Sequence, residues 1–161
     1  MRHRNTRKTL TVVTAMMLSG FLVSACEVDI QADHPAKITY HNMPGTEDLG
    51  LPFSSAVQVD NTLYLSGNLG NIPGTGDLAP GGIAAETRQT LENIKTAAEQ
   101  FGSSMDRIVK CTVFLADMQE WSAMNEVYRT FFANPPARSA FGTTGLALGA
   151  RVEIECIAIV E

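Results

Sequence analysis

From Val152 to Val160 the chain reads V-E-I-E-C-I-A-I-V, and the two-residue period of a strand sorts it onto two unlike faces. Val152, Ile154, Cys156, Ala158 and Val160 form one wholly apolar face. Glu153 and Glu155 share the other with Arg151, and that face turns apolar again at Ile157 and Ile159. A strand facing only solvent tends to stay polar to its end. The mixed face therefore predicts a second, partly buried surface with carboxylates inside it, where a cleft or a subunit interface belongs.

The same reading extends backwards along the chain. Ile83, Thr87, Leu91, Ile94, Ala98 and Phe101 recur at three and four residues, which predicts a helix over 83–101 with one apolar stripe and Gly102 as its C′ residue. Ile108 to Leu115 alternates as a strand with Val109, Cys111, Val113 and Leu115 on its apolar face. Asp117, with Glu120 three residues on, predicts the start of a second helix. Its core stripe is Trp121, Met124, Tyr128 and Phe131, and Pro135-Pro136 ends it. Earlier, Lys37 to Tyr40 reads as a first strand. Phe53 to Val59 and Thr62 to Ser66 read as two more, joined by a hairpin turn at Asp60-Asn61. The order strand, strand, strand, helix, strand, helix, strand, strand predicts an α+β domain, with two helices on one face of a sheet. The stretch from Ser66 to Gly82 holds six glycines and two prolines. No Gly-Lys-Ser/Thr follows it and no G-x-G-x-x-G opens the next helix, so turn geometry explains the glycine better than phosphate binding.

The first 26 residues differ from the rest. Arg2, Arg4, Arg7 and Lys8 form a basic segment, Leu10 to Val23 is mostly apolar and uncharged, and Val-Ser-Ala-Cys closes it at Cys26. This is the layout of a secretory signal over residues 1–25, with a lipobox that lipidates Cys26. Residues 26–36 then read as a polar tether, and 37–161 as the folded domain. The expected location is the periplasm, lipid-anchored to a membrane. Glu27 following the cysteine, where Asp would direct inner-membrane retention, points to the outer membrane. Removing the signal takes away four basic and no acidic residues, leaving 8 basic against 17 acidic, a net charge of −9. With no Lys/Arg-rich block left, a nucleic-acid partner is not expected. Cys111 and Cys156 each fall on the apolar face of a predicted strand. An oxidising compartment permits a disulfide, but two separate buried thiols are the preferred reading.

Candidate chemistry is sparse. The three histidines, His3, His34 and His41, have neither metal-ligand spacing nor a triad context, and no cofactor motif occurs, so no metal and no cofactor are expected. What remains is Arg138, at the mouth of a strand and suited to a bidentate grip on a carboxylate, and the acids Glu153 and Glu155. Against these stand two plainer readings: a surface ion pair for Arg138, and a solvated strand face for the glutamates. The final turn is expected to bring the arginine and a carboxylate together in a closing hairpin.

P-P-A-R-S-A-F-G, G-A-R-V-E-I-E-C-I-A-I-V, L-Y-L-S-G-N and A-A-E-T-R-Q-T-L-E-N-I-K resemble, in order from about Ile38 to Val160, the Rid family (the YjgF/RidA group of reactive-intermediate deaminases). The resemblance implies a chorismate-mutase-like α+β fold assembled as a homotrimer, with three sites in the clefts between subunits. It also implies hydrolysis of 2-imino acids and their enamine tautomers to 2-oxo acids and ammonia, without metal or organic cofactor. On this pattern Arg138 matches the arginine that binds the substrate carboxylate, and Glu153 the glutamate that holds and activates water. Ser66, Gly67 and Asn125 match pocket positions. Three departures stand out: Phe53 where many members have tyrosine, Ala140 in place of cysteine, and Asn68 in place of glutamine. They point to altered substrate preference. The competing expectation is a non-catalytic trimeric module that captures small carboxylates in the periplasm. Ribonuclease activity, attached to some relatives, is disfavoured by the acidic balance.

Overall fold

The computed structural model describes residues 35–46 and 49–160. The expected signal, Cys26 as the expected lipidation site, and the expected tether as far as His34 lie outside the described residues. The elements run β1 (Ile38–His41), β2 (Ala56–Val59), β3 (Thr62–Leu69), α1 (Ile83–Gln100), β4 (Ile108–Leu115), α2 (Trp121–Tyr128), β5 (Ala137–Gly142) and β6 (Val152–Ile159). Single turns of 3₁₀-helix lead into β4, α2 and β6. The six strands form one sheet in the order β1-β2-β3-β6-β4-β5, antiparallel throughout except for the parallel pair β4–β5. This is the expected α+β architecture, with both helices on one face.

The core lies between that face and the helices. Leu63, Leu65, Val113, Leu115, Val152, Ile154 and Ala158 project from the sheet onto Leu91, Ile94, Ala98 and Met124, all buried. Every residue of the predicted 83–101 stripe is buried. Gly102, at φ 83°, closes α1: its N–H and that of Ser103 bond to the carbonyls of Glu99 and Ala98, satisfying acceptors that the last turn would leave open. One buried carboxylate ties helix to sheet. Glu86, in the first turn of α1, accepts the Arg151 backbone N–H at 2.8 Å and so fixes the entry into β6.

Several expectations are corrected by the register. Val109 is exposed while Ile108 is buried, because β4 slips by one residue against β6 between Ile108 and Lys110 and this bulge turns Val109 outwards. The second helix ends at Tyr128, well short of Pro135. Thr130 Oγ1 and its own N–H both bond to the Val127 carbonyl, and that local bonding competes with another helical turn. Trp121 is 42% exposed and so stands outside the core. Most consequentially, β5 and β6 are not a hairpin. β4 lies between them, because the chain after β5 crosses to the far side of β4.

Cys111 and Cys156 are directly opposite in the β4–β6 ladder, both on the core face, and are joined in a disulfide with Cα atoms 4.1 Å apart. The expectation of two separate thiols is thereby overturned. Facing strands at narrow-pair spacing bring the two sulfur atoms together, which side-chain periodicity within each strand cannot reveal. Denaturation without reductant is expected to leave both cysteines closed to alkylation. Reduction is expected to lower the unfolding free energy by about 2–4 kcal/mol, since the bridge closes a long loop. Alkylation of both before reduction would contradict the pairing.

Candidate functional site

Arg138 is delivered by Pro135-Pro136 to the start of β5, the edge strand of the sheet. Parallel pairing sets it beside Cys111, whose side chain faces the core, so Arg138 also projects to the helix-covered side. There its guanidinium carbon lies 4.5 Å from the centroid of the Tyr128 ring at the end of α2. A cavity of about 590 Å³ opens beside them, lined also by Trp121, Asn125, Phe132 and Pro135. Among the described residues no carboxylate pairs with Arg138, whereas Arg129 pairs with Glu126 and Arg151 with Glu120. The surface ion pair weighed for Arg138 is therefore not formed, and the side chain lines a concave site whose wall includes the rings of Trp121, Tyr128 and Phe132. Such a site suits a small carboxylate. Ala140, two residues on, shares this side and packs against the core.

Glu153 lies on the other side of the sheet. Val152 and Ile154 are fully buried in the core, so the residue between them faces outwards. It stands opposite Phe114 on β4 and Leu69 on β3. The β3–β6 register shifts between Leu65 and Asn68, a bulge at Ser66 and Gly67 that sets Gly67 against the Glu153 side chain. A methyl group at position 67 would overlap Glu153 Oε1, so glycine lets the glutamate side chain lie against the strand as it does here. The bulge is held from both flanks. Ser66 Oγ donates to the Ser54 carbonyl at 2.7 Å, and Asn68 Nδ2 donates to the Ser66 carbonyl at 2.8 Å. The first of these bonds docks the loop that carries Phe53, an exposed ring next to Ser54.

Burial pushes the Glu153 carboxyl above its usual range, and the neighbouring charge of Glu155 adds to the rise. Glu155 itself is exposed on the same face, as the plainer reading of that residue held. Among the described residues Glu153 has no hydrogen-bond or ion-pair partner, which leaves both its oxygens for water or a ligand. Nor does any group of three or more His, Cys, Asp and Glu among them have the placement to hold a metal ion.

The predicted residues thus fall into two groups. Asn125, Arg138 and Ala140 share the helix-covered side, while Ser66, Gly67 and Glu153, with the Phe53 loop, gather at the bulge and the open face. Arg138 and Glu153 are not brought together within the chain, since β4 separates their strands and they point to opposite sides. Sequence reasoning assigned Tyr128 to the core stripe and missed its second role beneath Arg138. The only available signal was its place one helical turn after Asn125.

A family model described as Endoribonuclease L-PSP matches residues 48–160. A mouse protein named 2-iminobutanoate/2-iminopropanoate deaminase is 45% identical over 109 residues, covering 67% of this chain and 81% of that one. Among solved structures, a protein of the conserved Rid family from Yersinia pestis is 36% identical with a TM-score of 0.71, covering 77% of this chain and all of its own. The structure of E. coli TdcF with bound serine is 30% identical with a TM-score of 0.65, covering 76% of this chain and 94% of that one.

The raised Glu153 pKa fixes the sign of a pH effect. A carboxyl that holds its proton more tightly when folded adds stability below its ordinary range, and that contribution is lost as pH rises through the folded-state pKa. Carboxyl NMR titration is expected to find Glu153 above Glu155→Gln's Glu153, because the substitution removes one of the two causes. An unchanged titration in that variant would show that Glu155 plays no part.

Proposed function

Because this chain belongs to the Rid/YjgF family, matched over 48–160 by the L-PSP model, we propose that it hydrolyses 2-imino acids and their enamine tautomers to 2-oxo acids and ammonia. The observation that carries this reading is Arg138, a guanidinium that lines a cavity beside the Tyr128 ring and has no carboxylate partner among the described residues. A relative 45% identical is named for the same reaction class, and the serine held by TdcF presents the same α-carboxylate that Arg138 is suited to grip.

The chemistry follows from the two groups. Arg138 takes the substrate carboxylate through paired N–H donors and orients the C=N carbon. Glu153, with its affinity for protons raised by burial, accepts a proton from water as the oxygen attacks that carbon. The resulting carbinolamine receives the proton on nitrogen, expels ammonia and leaves the 2-oxo acid. One water is consumed and one ammonia released, and only side chains and solvent take part. The hydroxyl of the common tyrosine is missing at Phe53, and Ala140 offers its backbone alone. Both changes alter what surrounds the substrate and leave the proton path intact.

The two groups belong to one site only if a second copy supplies the missing half. The proposal therefore includes a homotrimer in which the helix-side group of one subunit faces the open-face group of the next. Supporting it, the open face exposes Ile38, Tyr40 and Tyr64 beside half-buried Val57, Val59 and Ile157, more apolar surface than a sheet face in water usually carries. Export and lipidation at Cys26 are part of the proposal too, on the residue pattern of 1–26. The Cys111–Cys156 disulfide suits an oxidising compartment.

Ammonia release from 2-iminopropanoate generated in situ tests the reaction. Wild type is expected to exceed spontaneous hydrolysis. Arg138→Ala is expected to raise KM roughly 10- to 100-fold, the value of a charged hydrogen-bond pair. Glu153→Gln is expected to lower kcat roughly 10²- to 10⁴-fold. A wild-type rate equal to the spontaneous one would overturn the assignment. For the anchor, Cys26→Ser is expected to move the protein from the membrane to the soluble fraction, and unchanged membrane association would refute lipidation there.

A further inference from the structure

We propose that Tyr128 is a positioning residue, whose ring face holds the guanidinium plane of Arg138 in register for carboxylate capture. The inference rests on the deaminase reading for its kinetic form, and on the geometry of the cavity for its binding form.

Three observations converge on this ring. Its centroid lies 4.5 Å from the Arg138 guanidinium carbon, within the range where a cation is drawn to an aromatic face. The ring is itself fixed: Tyr128 is the last residue of α2, is 5% exposed, and packs against Phe132 at 4.8 Å between centroids. Its hydroxyl, finally, is buried and has no hydrogen-bond partner among the described residues. An unpartnered buried hydroxyl adds nothing to the fold through hydrogen bonding and costs its desolvation. The group in contact with Arg138 is the π face.

A neutral aromatic platform does what an acidic partner cannot. A guanidinium held over a ring by its flat face keeps the N–H donors at its edge for a bidentate bond to substrate. A carboxylate in the same place would take those donors and compete with the substrate's own carboxylate. The phenol also stays uncharged through the working pH range. Burial pushes its pKa up to about 12, outweighing the downward pull of Arg138. Arg138 is thus oriented without being neutralised.

The experiment compares Tyr128→Leu and Tyr128→Met, which remove the π face, with Tyr128→Phe, which keeps it. Imine hydrolysis in Leu and Met is expected to show KM raised about 3- to 30-fold, with kcat within about 2-fold of wild type. Phe is expected to restore KM to near the wild-type value, because the lost hydroxyl had no partner. Calorimetric binding of pyruvate to the same proteins is the second arm. It is expected to weaken by the same factor in Leu and Met and to recover in Phe, whether or not the protein turns over imines. Should wild type bind pyruvate but fail to hydrolyse imines, the deaminase reading falls while the positioning role stands. Phe as impaired as Leu in both arms would show that the hydroxyl is used. Leu and Met with unchanged KM and pyruvate affinity would show that the ring does not position Arg138. Either result overturns the proposal. A fall in kcat alone would overturn it as well, since a ring that orients the carboxylate grip acts on binding.

Discussion

Successive side chains on a pleated strand point to opposite sides of the sheet, and this parity constrains everything else in the molecule. Once Val152, Ile154, Cys156 and Ala158 are committed to the core, Glu153 has no choice but the open face. Once β5 pairs with β4 so that Arg138 stands beside Cys111, the guanidinium is committed to the helix side. A slip of one residue in either ladder would exchange these assignments and bury charge in the core. The ladder between β4 and β6 is further pinned at one point by the Cys111–Cys156 bridge, in the same cross-strand row as Arg138.

Around these fixed strands the fold shapes each half of the site differently. On the helix side the platform is made of packed aromatic side chains, and α2 stops where its last residue meets Arg138. On the open side the shaping is done by backbone. A bulge in β3, with glycine at position 67, brings the chain close to Glu153, whose carboxyl is raised by burial. Glu86 and the Arg151–Glu120 pair secure the entry into β6 two residues before that glutamate. Neither half alone has both a carboxylate grip and a proton acceptor, and this incompleteness is why the proposed function requires a second subunit.

The parts legible in the sequence are those governed by local periodicity. The α1 stripe, the two faces of β6 and the prominence of Arg138 and Glu153 follow from spacing, and the family resemblance sharpened the last two into roles. What was not legible depends on how strands meet. A one-residue bulge turns Val109 outwards although its alternation reads as core. β3 continues through Gly67 to Leu69 where the glycine read as the start of a loop. The placement of β4 between β5 and β6 is a long-range choice with no local signature, as is the pairing of two cysteines 45 residues apart. Tyr128 was hidden for a different reason, since a ring can belong to the core and still present one face to a cation.

The central claim is that Arg138 of one copy and Glu153 of another make one site, and mixing two disabled variants tests it most directly. Arg138→Ala and Glu153→Gln chains are denatured, combined in equal amounts and refolded together, beside each variant and wild type treated alike. If sites form between copies, random assembly gives about a quarter of them both intact groups, so the mixture is expected to recover a comparable fraction of wild-type imine hydrolysis. A mixture no more active than the separate variants, with wild type fully recovered in parallel, would contradict the account.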